Sequence, residues 1–123
     1  MQIQSRRVGE ANIVAPLGRI DHANSEEFRR ALGPHVDECS AEGDRLVFDM
    51  AGVDYISSAG LRCFMLAAKQ ARAQGGTIVI AAMQPVVKEI FEISRFTLLF
   101  ESFGSVREAV ATIAPAALPT LEQ

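Results

Sequence analysis

A chain of 123 residues with 49% hydrophobic and 22% charged side chains has room for one hydrophobic core and not for two. Its net charge of −3 excludes the concentrated lysine and arginine surface that a nucleic-acid partner requires. No run approaches the roughly 18 consecutive apolar residues of a membrane span, and Met1-Gln2-Ile3-Gln4-Ser5-Arg6-Arg7 is not followed by an apolar signal core, so a cytoplasmic protein with no membrane partner is expected.

In chain order, residues 2–8 and 11–18 read as two strands joined at Gly9-Glu10, with Ile13, Ala15 and Leu17 alternating onto one side of the second. Gly18-Arg19-Ile20-Asp21-His22-Ala23 leads to a helix capped by Asn24 or Ser25, with Glu26 and Glu27 in the first turn. Its apolar stripe is Phe28, Leu32, Val36 and Cys39, and Gly33-Pro34 is predicted to kink or divide it. Leu46-Val47-Phe48 centres a third strand over residues 45–50, followed by the turn-forming Ala51-Gly52.

A second helix over residues 58–74 carries Leu61, Phe64, Met65, Ala68 and Ala71 on one face and stops at Gly75-Gly76. Residues 77–82 form a wholly apolar strand, and Pro85 opens a third helix with Val86, Val87, Ile90, Phe91 and Ile93 apolar. Residues 96–103 read as a loop and a short last strand. Ser105-Val106-Arg107-Glu108 is a capping-box pattern that starts a last helix. Pro115 and Pro119 end it, so the domain is read as residues 1–113 and residues 114–123 as a mobile tail. Strands alternating with helices predict an α/β fold with a mixed sheet of about five strands and about four helices. Leu46, Phe48, Ile56, Leu61, Met65, Ile78 and Ile80 are the predicted core.

Cys39 and Cys63 are too far apart for a Cys-x-x-Cys pair and have no histidine at metal-ligand spacing, so reduced thiols, no metal and no cofactor are expected. The chemistry concentrates instead at residues 54–62, Asp54-Tyr55-Ile56-Ser57-Ser58-Ala59-Gly60-Leu61-Arg62, where a buried strand hands over to the second helix. Both serines sit at the helix N-terminus, where the first backbone N–H groups lack internal partners and favour an oxygen or an anion. A plain helix cap at Ser57 or Ser58 is the ordinary reading of such a pair. A hydrolase nucleophile would need Gly-x-Ser-x-Gly, but Ile56 stands at the first glycine, and the adjacent Asp21 and His22 are poorly disposed as a relay. No enzymatic activity is expected.

The stretch Tyr55-Ile56-Ser57-Ser58-Ala59-Gly60-Leu61 resembles the signature of the STAS domain (sulfate transporter and anti-sigma factor antagonist), in particular that of single-domain bacterial anti-sigma factor antagonists. Gly18-Arg19-Ile20-Asp21 is similar to that family's Gly-x-(Leu/Ile)-Asp, and Gly75-Gly76 to its glycines before the fourth strand, so the resemblance covers residues 2–113. It implies a STAS-type fold with helices packed largely on one face of the sheet. It also implies a phosphorylation-gated switch, in which the protein binds an anti-sigma factor serine kinase when Ser58 is unphosphorylated and releases it when phosphorylated, and a separate serine phosphatase resets it. Register from Gly60-Leu61 places the acceptor at Ser58 and puts Ser57 where many relatives carry Asp; Asp21, Ser57, Ala59, Gly60, Leu61 and Arg62 become its neighbours or partner contacts. Asp21 and Asp54, if close, would add to the repulsion on phosphorylation. The alternative is a STAS module that is not phosphorylated and binds a small ligand or a transporter subunit.

Overall fold

Ile3–Val8 (β1) and Ala11–Pro16 (β2) form the opening hairpin, turning at Gly9, in a computed structural model that describes residues 1–122. β2 then pairs in parallel with Arg45–Asp49 (β4), β4 with Ile78–Ala81 (β6) and β6 with Glu101–Phe103 (β7), giving a mixed five-stranded sheet in the order β1-β2-β4-β6-β7. The central strands β4 and β6 are apolar on both faces because both are covered, whereas β7, at the edge, is largely exposed. Leu46, Phe48, Ile78 and Ile80 point to one side and meet Ser25–Asp37 (α1), Ser58–Ala73 (α2) and Pro85–Ile93 (α3). Val47, Val79 and Ala81 point to the other and meet Val106–Ile113 (α4). The architecture is the expected α/β fold with most of its helix on one face.

The predicted core residues Leu46, Phe48, Ile56, Leu61, Ile78 and Ile80 are buried, but Met65 is only half-buried. The sector of α2 that faces the sheet is centred on Phe64 and Ala68, leaving Met65 at its margin. Phe64 is the hub of an aromatic cluster, with ring centroids 4.9 Å from Phe48, 5.3 Å from Phe28, 5.9 Å from Phe91 and 6.3 Å from Phe100. On α3 the buried positions narrow to Val87 and Phe91, one turn apart, while Val86 and Ile93 face outward, Ile93 with 75% of its surface exposed.

Four further departures from the sequence reading have local causes. The second strand stops at Pro16, and Gly18, at φ +88, turns the chain out of the main sheet into Gly18–Ile20 (β3). β3 pairs in parallel with Val53–Ile56 (β5), a separate strand after the Ala51-Gly52 turn, so a second, two-stranded sheet delivers the serines. Pro34 does not divide α1: it sits in the last turns on the exposed side, preceded by a glycine with no Cβ for its ring to crowd, while Phe28, Leu32 and Val36 hold the helix down on either side. The predicted mobile tail is folded over its described length: residues 115–117 form a 3₁₀ turn, Leu118–Leu121 a short helix (α5), and Ala114 and Ala117 are buried under the second face. Gln123 lies outside the described residues.

The capping box at α4 forms with a shift of one residue. Ser105 Oγ accepts from Glu108 N at 3.1 Å, whereas the Glu108 carboxylate accepts from Gly104 N instead of from Ser105 N.

Asn12, 2% exposed, is the one buried polar side chain among the described residues, and its Nδ2 lies 3.1 Å from His35 Nδ1, an arrangement in which the amide donates to a neutral ring. Burial pushes the His35 pKa down from its ordinary value near 6.5; the Arg7 charge adds to this and Asp44 opposes it. The unfolded chain therefore takes up this proton first as pH falls, so stability is lost from neutrality down through 6.5 towards the lower folded value. Denaturant midpoints at about pH 7.5 and about pH 5.5 are expected to fall further for wild type than for His35→Gln. An equal fall in both would remove the histidine from the pH dependence.

Candidate functional site

β5 ends at Ile56 and α2 begins at Ser58, leaving Ser57 as the single residue of the junction. Its backbone N–H donates to Ile20 O at 2.8 Å, which stitches the end of β5 to the end of β3. Its hydroxyl accepts from Gly60 N at 3.2 Å and its carbonyl accepts from Leu61 N at 2.9 Å, so Ser57 is the N-cap of α2. Ser58 is the first residue of the helix and is exposed, and among the described residues nothing hydrogen-bonds its hydroxyl. Of two adjacent serines, one hydroxyl is consumed by the fold and the other is free.

Gly60 is required by closeness. A Cβ on it would lie 2.8 Å from Ile20 Cγ2, 3.0 Å from Ile20 O and 3.0 Å from Ile56 Cγ2, so any side chain would push α2 off both short strands. Gly60 is buried and Leu61 is only 7% exposed, in the main core. These two site candidates therefore hold the helix in place, and the surface belongs to Ser58, the half-buried Ala59 and the exposed Arg62.

Asp21 directly follows Ile20, the residue bonded to Ser57, so the pairing of β3 with β5 brings two distant segments of sequence together. Its carboxylate accepts from Ala23 N at 3.0 Å, Asn24 N at 3.2 Å and Arg19 Nε at 2.9 Å, and Asn24 Oδ1 accepts from Asp21 N at 2.8 Å. Desolvation pushes the Asp21 carboxyl up, but the hydrogen bonds from Arg19, Asn24 and Ala23 outweigh it and hold the group below the ordinary aspartate value. With both oxygens committed, Asp21 does not orient His22, and no serine–histidine–aspartate relay forms among the described residues. Asp54 is exposed on β5 and, among the described residues, makes no hydrogen bond to either serine.

Arg19 and Tyr55 stand in the two quoted motifs with no local sign of a role for either side chain. The Arg19 guanidinium lies 4.7 Å from the Tyr55 ring centroid while its Nε holds Asp21, joining the exposed sides of the two short strands. The signal was faint: a polar residue beside an apolar one on two three- to four-residue strands whose pairing local pattern cannot reveal.

Around the N-terminal turns of α2 a shallow cleft of about 330 Å³ runs against α1, lined by Ser25, Glu26, Arg29, Ala59, Arg62, Cys63 and Leu66. A larger hollow of about 600 Å³ is lined by Gln4, Ser5, Arg6, Ile13, Ala15 and Asp49, on the α4 side of the sheet and away from the serines. Burial raises the pKa of the Cys39 and Cys63 thiols, and both cysteines are free. Among the described residues no three metal-ligating side chains come together, and no helix is long and apolar enough to cross a membrane.

A mixed sheet with a two-stranded annex that presents a serine pair at a helix N-terminus defines a small α/β domain with an exposed strand-to-helix junction. The family model for the STAS domain matches residues 2–109, and the chain belongs to that family. It is 38% identical over 119 residues to BtrV of Bordetella bronchiseptica, provisionally named an anti-sigma factor antagonist, across 97% of this chain and 99% of that protein. Its fold is similar to that of a Thermotoga maritima protein, likewise provisionally named an anti-sigma factor antagonist, with TM-score 0.81 at 13% identity over 90% of this chain and 93% of the other. It is also similar to SpoIIAA, the Bacillus cell fate determinant, in its phosphorylated form, with TM-score 0.67 at 15% identity over 91% of this chain and 99% of the other. At these identities the two structures speak to fold alone.

Proposed function

We propose that this chain is a cytoplasmic anti-sigma factor antagonist that acts as a phosphorylation-gated partner switch, with Ser58 as the phosphate acceptor. The observation that carries the proposal is the division of labour between the serines: Ser57 spends its hydroxyl on Gly60 N while Ser58 keeps an exposed, unbonded one. The name of the 38%-identical relative supports the partner class. Unphosphorylated, the protein docks the junction on an anti-sigma factor and so frees the sigma factor held by it. The chemistry belongs to the partners. The anti-sigma factor, acting as a kinase, transfers the γ-phosphoryl group of ATP to Ser58 Oγ; the new O–P bond replaces the bond to ADP, and the hydroxyl proton leaves. A serine phosphatase hydrolyses the phosphoserine with water and restores the hydroxyl.

The phosphate adds about −1.5 to −2 charges at neutral pH. Ser58 is exposed at the start of a helix whose cap is its neighbour, so the fold accommodates the added group and the effect falls on docking. Incubation with ATP and the cognate anti-sigma factor, followed by mass mapping, is expected to find phosphate on Ser58 in wild type and in Ser57→Ala, and none in Ser58→Ala. Phosphate on Ser57, with Ser58→Ala still labelled, would move the acceptor to Ser57 and overturn the choice of Ser58; no phosphate on any variant would favour the STAS module that is not phosphorylated.

A further inference from the structure

The arginines beside the junction are tied down, with one exception. Arg19 holds Asp21 at 2.9 Å, and Arg29 holds Glu26 through two nitrogens at 2.5 and 3.3 Å. Arg62 is exposed, and among the described residues it has no carboxylate within ion-pair distance. Its helical neighbours three and four residues away are Ser58, Ala59, Met65 and Leu66, none of them charged, and the first turn of α2 has no acidic residue. Glu26, which lines the same cleft, is already occupied by Arg29. A cation this close to the positive end of a helix gains nothing from the helix itself.

We propose that Arg62 is the intramolecular partner of a phosphate on Ser58, so that phosphorylation closes a Ser58–Arg62 ion pair along the flank of α2. The inference rests on Ser58 being the acceptor, as read above. Ser58 is the one helical neighbour of Arg62 that phosphorylation converts to an anion within reach, about 5–6 Å between Cβ atoms at this spacing. An acid placed four residues before a base is the favourable order for such pairs, and a guanidinium fork matches phosphate oxygens with two hydrogen bonds. The gate then acts twice: the modification adds negative charge to the docking surface and withdraws from it the arginine that was free.

The test uses the full chain with phosphoserine installed at position 58 during translation, and follows the phosphorus resonance through its second ionisation. In low salt the phosphoserine pKa is expected to be about 0.2–0.4 unit lower in otherwise wild-type protein than in Arg62→Gln. The difference should collapse in about 1 M salt, where the screening length is about 3 Å. Arg6→Gln, which removes an exposed arginine on β1, controls for net charge and should leave the value unchanged. Equal pKa values in wild type and Arg62→Gln, or an equal rise in Arg6→Gln, would overturn the pair. Because the phosphate is built in, this result stands whichever residue a kinase selects, so a failure here and a failure of the mapping experiment are separate findings.

Discussion

Ser58→Asp is expected to weaken binding to the anti-sigma factor by about 30-fold or more while leaving the thermal midpoint within a degree or two of wild type. The structure separates these effects. Residue 58 is exposed at the first helical position, where a carboxylate suits the unpaired N–H groups, so the fold tolerates the charge. A charge pressed into a docking surface without a partner is expensive, by about 2–5 kcal/mol. Moving a binding equilibrium from 99:1 to 1:99 takes about 5.5 kcal/mol, so a single carboxylate should act as a partial mimic of the dianion. Ser58→Ala should bind as wild type does and stay bound after incubation with ATP and the kinase. Calorimetry of both variants with the native partner, beside thermal melts, decides the matter. Wild-type affinity in Ser58→Asp, together with release of Ser58→Ala after kinase treatment, would sink the switch.

The largest expected effect on stability is at Phe64, not at the junction. Phe64→Ala should cost about 3–5 kcal/mol, because the ring is fully buried and contacts aromatic side chains from α1, β4 and α3, and Phe100. A domain of this size has about 5–15 kcal/mol in all, so the variant should unfold at a much lower denaturant concentration. Met65→Ala, one residue away on the half-buried margin of α2, should cost less than half as much. Equal midpoints for the two variants would mean that the aromatic cluster is not the centre of the core.

Phe64 also shows why so much of the fold was legible. Its place on the apolar stripe of α2 follows from a repeat of three and four residues, and the strand and helix stretches of residues 45–50, 58–74 and 77–82 are set by similar local periodicity. Gly75-Gly76 and Ser105 punctuate the chain in the same local way, by the backbone each residue permits or caps. The Ser57-Ser58 pair was visible at a helix start for this reason. Which hydroxyl the fold uses was not, because the Ser57 cap depends on the angle at which β5 enters the helix. That angle is held by the bond from Ser57 N to Ile20 O, across 37 positions of sequence.

Pairings between segments were therefore decided by tertiary structure alone. β3 and β5 are three and four residues long, too short to carry a periodic signal, and they are held by each other and by the helices packed on them, α2 and α3. That pairing sets Asp21 in the segment bonded to Ser57 and stacks Arg19 on Tyr55, and among the described residues Arg62, four positions after Ser58, has no ion-pair partner. The tail followed the same logic: prolines and alanines read locally as an ending, but small side chains at Ala114 and Ala117 let the backbone settle closely on the hairpin turn at Gly9 and bury apolar surface there. Local composition determined where most helices and strands begin, and long-range burial determined which residues share the exposed junction at the start of α2.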